Sequence, residues 1–168
     1  MLKFILYLFI LLPFSIKGMT DDHAIRSKPV INLAVAKIMA DACEADQKSS
    51  GYAPINIAIV DAGGDLVLFR RQNNAFLLSI DIATKKAISS AGIPFPTRLI
   101  EELVYGKDGG KGIIPGLAHS KDIVAFAGGL PIKTKDDVLL GAIGVSGATA
   151  DQDEQCAKAA LKAIDGVL

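Results

Sequence analysis

Few side chains in this 168-residue sequence are of types that do chemistry unaided. There are two histidines, His23 and His119, and two cysteines, Cys43 and Cys156. An imidazole binds transition metals and moves protons near neutral pH. His119 follows the loop sequence Ile113-Ile-Pro-Gly-Leu-Ala118, which makes it a candidate metal ligand or an ordinary surface histidine. Tyr105, in the same stretch, is the other nearby side chain able to bind iron. Arg70, Arg71, Lys85 and Lys86 could pair with carboxylates of a ligand or form a solvated face.

Three short motifs approach known catalytic or binding patterns and miss them. Gly106-Lys-Asp-Gly-Gly-Lys-Gly112 is too short for a phosphate-binding loop and has Gly112 where Ser or Thr is required. Gly144-Val-Ser-Gly-Ala148 lacks the last glycine of a nucleophile elbow, and a meander surrounds it rather than a strand-to-helix turn. Glycines at 141, 144 and 147 instead point to close approach by another backbone or a ligand. Asp151-Gln-Asp-Glu-Gln155 spaces its oxygens like a calcium loop, but Cys156 stands where the turn needs glycine. These acids fit helix capping and the helix dipole better. Neither cysteine sits in a redox or haem-attachment pattern. They are either one disulfide or two small buried residues.

The elements that position these residues follow from apolar spacing. Ile31, Ala34, Val35, Ile38, Met39 and Ala42 recur at helical period from Lys28, with Pro29 in the first turn and Gly51 after the end. Ile55 to Asp61 and Leu66 to Arg71 read as a hairpin around Gly63-Gly64, with Asp61 bonding the turn backbone. Both faces of Ile55 to Val60 are apolar, so both need cover. Phe76 to Ala91 is a second helix and Thr97 to Val104 a third, capped by Thr97. Tyr105 to Ala118 is a loop. Strands are predicted at Ile123 to Ala127, Leu130 to Lys133 and Val138 to Ser146, before a final helix with Asp151 and Glu154 as its cap. Cys43, late in its helix, and Cys156, early in the last, come level if those helices pack antiparallel. The order predicts an α+β fold: a five-stranded antiparallel sheet covered by helices.

Composition bounds the rest. Phe4 to Phe14 is an apolar run behind Lys3. At about 1.5 Å per residue it is too short for a hydrocarbon core of about 30 Å, so it reads as a secretory signal rather than a stable membrane span. Residues 1–18 are then the signal and 19–168 a single domain, periplasmic or secreted. The mature chain keeps sixteen basic and eighteen acidic residues, a net charge of −2 with no basic cluster. Nucleic acid is therefore not an expected partner.

Several ordered segments resemble a known family. They are Asp61-Ala-Gly-Gly64, Ile80 to Ala91, Pro96-Thr97, Gly128-Gly-Leu-Pro-Ile132, Gly141-Ala-Ile-Gly-Val-Ser-Gly147 and Asp151-Gln-Asp-Glu154. Together they look like the GlcG/HbpS-like haem-binding family, whose domain also forms the C-terminal part of PduO proteins. Haem degradation has been attached to that family's name. The resemblance implies a five-stranded antiparallel, profilin-like layout, homo-oligomers and, in some members, haem. Asp65 stands where relatives often carry His. Carried onto this chain, haem would be bound near Tyr105 to His119, with His119 on the iron and propionates toward Arg70 or Lys86. The implied function is an exported, non-catalytic haem- or tetrapyrrole-binding protein. The alternatives are an enzyme on a small metabolite or on haem, and an oligomeric adaptor without a small ligand.

Overall fold

The computed structural model describes residues 27–167. The expected signal over 1–18 and His23 lie outside the described residues. Helix α1 (Leu33–Ser50) starts later than the apolar period alone predicts. Asn32 caps it, its Oδ1 accepting from the Val35 N–H at 3.0 Å. Just before it the Ile31 N–H donates to the Leu140 carbonyl, so Pro29 and its neighbours lie outside the helix. Strands β1 (Asn56–Asp61) and β2 (Leu66–Arg71) form the expected hairpin. Asp61 Oδ1 accepts from Gly63 and Asp65 N–H groups at 2.7 and 3.1 Å and fixes the turn.

Helix α2 (Ser79–Gly92) begins three residues after Phe76, because Ser79 Oγ donates to the Phe76 carbonyl at 2.6 Å and closes a preceding turn. Helix α3 (Thr97–Tyr105) and a 3₁₀ turn (Pro115–His119) follow. Thr97 does not cap α3. Its Oγ1 accepts from the Gly129 N–H at 2.9 Å and ties α3 to the next strand. Strands β3 (Gly129–Lys133) and β4 (Leu139–Ser146) lead into α4 (Ala150–Lys162). The capping box of α4 is Thr149 with Gln152, two residues before the expected Asp151 and Glu154 pair.

The sheet is antiparallel with order β2-β1-β4-β3, four strands rather than five. The missing strand is Ile123 to Ala127. The backbone there bonds to a helix side chain instead of a strand: the Val124 N–H donates to Ser89 Oγ at 2.8 Å.

Helices α1 and α4 cover one sheet face, packing Met39, Ala157 and Ala160 on Ile57, Ile59, Ile132 and Ile143. Helix α2 covers the other, setting Ala83, Ala87 and Ala91 on Ala58, Val60 and Ala142. The two-sided burial expected of β1 is what the structure shows. Cys43 and Cys156 form a disulfide between α1 and α4, with Cα atoms 4.6 Å apart.

Small residues let α2 ride close to the sheet. A Cβ added at Gly144 would collide with the Ala83 carbonyl and the Ala87 N–H of α2. Gly141 and Gly147 are crowded by backbone in the same way. Gly144→Ala should therefore destabilise the domain by about 3 kcal/mol, through overpacking that only a shift of α2 relieves. A urea midpoint equal to that of the wild type would show that α2 is free to move outward.

Candidate functional site

The apolar stripe of α2 carries a lysine. Lys86 lies three residues after Ala83 and four before Ser90, on the side facing the sheet, and it is fully buried. Its Nζ donates to Asp153 Oδ2 at 2.8 Å and to the Val145 carbonyl at 2.9 Å. The Phe126 ring covers it, with its centroid 4.7 Å away. Asp153, in the first turn of α4, is also buried and accepts from the Ala148 N–H at 3.1 Å. The pair joins the helix on one sheet face to a helix on the other, around the end of β4. Gly128, at φ 122°, completes the seat: a Cβ there would crowd the ammonium, the Val145 carbonyl and Asp153.

Burial pushes the Lys86 ammonium below the usual lysine range, opposed by the charge and hydrogen bond of Asp153. Burial likewise pushes the Asp153 carboxyl above the usual carboxylate range, opposed by Lys86. With two oxygen acceptors on the nitrogen and a backbone donor on the carboxylate, the geometry holds an ion pair.

A cavity of about 480 Å³ opens beside this pair. Phe76, Leu77, Leu78, Ile82 and Phe126 give it an apolar wall, and Ser79, Ser146 and Asp153 are its polar members. Asn56 is buried next to it and donates to Ser79 Oγ at 2.7 Å. Its Oδ1 has no hydrogen-bond partner among the described residues.

The residues expected to bind a ligand are distributed differently. Tyr105 ends α3 and is 63% exposed. His119 ends the 3₁₀ turn and is exposed. That turn folds back on α3, with the Ile114 N–H donating to the Leu103 carbonyl, so the two residues share one structural unit. Arg70 does not join them. It sits on the edge strand β2 opposite Ile57, on the α1 face, bonded to Asp41 at 2.6 Å and Glu44 at 3.1 Å. Helix α3 packs on β3, at the other edge of the sheet. Lys86 does not join them either, because its ammonium is sealed against Asp153. The oxygens that resemble a calcium loop are likewise engaged: Asp151 and Glu154 by Arg98, and Asp153 by Lys86.

Sequence reasoning missed Asp153, Phe126, Ser146 and Asn56. A signal existed for the first. Asp153 lies four residues before Ala157, so the buried stripe of α4 runs back onto it, just as that of α2 runs onto Lys86.

The model for the haem-degrading protein HbpS-like family matches residues 31–162. A 15.0 kDa Citrobacter freundii protein from the dhaT-dhaS intergenic region is 37% identical over 131 residues, 78% of this chain and 89% of that protein. The Klebsiella pneumoniae protein ORFY superposes with a TM-score of 0.74 at 32% identity, covering 86% of this chain and 97% of ORFY. The PduOC:heme complex superposes with a TM-score of 0.70 at 26% identity, covering 81% and 96%. Matched along most of its length by that model and by these structures, the chain belongs to the HbpS-like family.

Proposed function

We propose that this is an exported, non-catalytic haem- or tetrapyrrole-binding protein whose ligand lies on the surface formed by α3 and the 3₁₀ turn. The observation that carries this is an exposed imidazole, His119, in a unit that also exposes Tyr105, Ile113 and Ile114. A porphyrin needs an apolar face and an iron ligand, and this surface offers both. Lys111 and Lys121, exposed in the same segment and without an ion pair among the described residues, would be the cations for propionates in place of Arg70 and Lys86. The PduOC:heme complex supports a tetrapyrrole as the ligand class.

A haemin titration tests it. The wild type should give a saturable Soret shift, and His119→Ala should weaken binding about tenfold, or about 1.4 kcal/mol. His23→Ala should behave as the wild type. An unchanged spectrum and affinity for His119→Ala would remove it as the iron ligand and leave Tyr105 or adsorption to the surface. Bleaching of the band with reductant would replace simple binding by haem breakdown.

Export is supported by the apolar run behind Lys3 and by the buried Cys43–Cys156 bridge, which needs an oxidising compartment. N-terminal sequencing of the secreted or periplasmic protein should start near residue 19, and an intact Met1 would end that proposal. Self-association is supported by Phe76, Leu77 and Leu78, consecutive and each at least 68% exposed.

A further inference from the structure

The Lys86–Asp153 pair plays no part in binding a ligand at the α3 surface, and its position beside an apolar cavity gives it a chemistry of its own. A buried ion pair adds little net stability compared with apolar residues of similar volume. What this one does supply is a primary amine held within hydrogen-bond distance of a carboxylate, at the edge of a space walled by Phe76, Leu78 and Ile82. Asp153 already lines that space. The Phe126 ring lies over the amine and also lines the cavity. That ring is 38% exposed and belongs to the segment between the 3₁₀ turn and β3, which is neither helix nor strand. A change of its rotamer would lift that cover from the amine without moving a regular element.

We propose that this cavity takes a small apolar aldehyde or ketone and that Lys86 captures it as an imine, with Asp153 carrying the protons. The carboxylate first takes one proton from the ammonium. The freed lone pair attacks the carbonyl carbon, a C–N bond forms, and the carbonyl π pair moves to oxygen, which receives the proton back from Asp153. Asp153 then takes a second proton from nitrogen and delivers it to the hydroxyl. The C–O bond breaks, water leaves, and the nitrogen lone pair closes the protonated imine. Three ammonium protons end as one on the imine and two on water, so charge is conserved and no oxidant or reductant takes part. The cationic imine again faces the Asp153 carboxylate. Desolvation favours the first step, since it already holds the amine below the usual lysine range.

The test uses benzaldehyde and hexanal as probes, with borohydride to reduce any imine to a stable amine. Intact mass should show one adduct per chain, and peptide mapping should place it on Lys86 in preference to exposed lysines such as Lys107 and Lys158. Phe126→Ala leaves the ion pair in place and should speed labelling about tenfold by uncovering the amine. Ile82→Trp fills the cavity and should suppress it. Lys86→Met/Asp153→Leu keeps the interior apolar and should abolish the Lys86 adduct while the domain stays folded. His119→Ala should label like the wild type, so failure of the haem proposal and failure of this one are separable. Adducts spread over exposed lysines, with no response to Phe126→Ala or Ile82→Trp, would overturn it.

Discussion

Lys86→Met alone should destabilise the domain by about 3–5 kcal/mol, whereas Lys86→Met/Asp153→Leu should recover most of that loss. The asymmetry follows from burial. Removing the ammonium leaves the Asp153 carboxylate inside the protein with only the nearby backbone donors, chiefly the Ala148 N–H, and no compensating charge. Removing both charges leaves two side chains of similar bulk beside the Val145 carbonyl and the Phe126 ring. The single variant should also respond to acid. Asp153 sits above the usual carboxylate range even with its partner present, and loss of Lys86 removes the main opposing influence. A group whose folded-state pKa is raised contributes stability that is full below its unfolded value, about 3.9, and lost as pH rises through the folded value. The deficit of Lys86→Met should therefore shrink on acidification from neutral pH. Urea denaturation of both variants at neutral and mildly acidic pH reads all of this. Equal losses in the single and double variants, with no pH response, would mean that the pair is solvated in solution.

Much of the layout was legible because it depends on local signals. The Asp61 turn, the α4 stripe and the two apolar faces of β1 are short-range patterns with a physical cause, and the structure has them. The expected α1 stripe is not the buried one: Ala34 and Ile38 are exposed, and Ala36, Met39, Ala40 and Cys43 face the core instead. The errors arose where a tertiary partner outcompeted a local preference. Thr97 looks like a helix cap, but Gly129 takes its hydroxyl. Ile123 to Ala127 looks like a strand, but Ser89 takes its backbone. The cavity was the least legible feature. It is assembled from Phe76, Ile82, Phe126 and Ser146, which lie up to seventy residues apart and carry no shared period. Lys86 was misread for a different reason. A lysine is assigned to solvent by type, and only its spacing from Ala83 and Ser90 places it inside.

Loss of the Cys43–Cys156 bridge should lower stability by roughly 4–5 kcal/mol, the effect expected of a crosslink closing a loop of about a hundred residues. The two sulfurs join residues 113 apart, across the seam between α1 and α4. Both cysteines are fully buried, so Cys43→Ala/Cys156→Ala is the suitable variant: it introduces no polar atom into that seam. The layer itself should persist. Met39, Ala40, Ala157 and Ala160 still pack on the sheet, and Gln155 still donates to Asp46 across the helices. The variant should consequently fold to the same secondary structure by circular dichroism and melt lower by on the order of 10–15 °C. The wild type should resist dithiothreitol while native, since access to either sulfur requires α1 and α4 to separate, and should lose the bridge quickly once urea opens that seam. Thiol titration of the denatured, unreduced protein should find no free thiol. Two thiols in that titration, or melting unchanged by the double substitution, would mean the bridge is not formed in the isolated protein. Both thiols absent and a lower melting temperature in the variant would show that the bridge is formed and that it supports the α1–α4 layer.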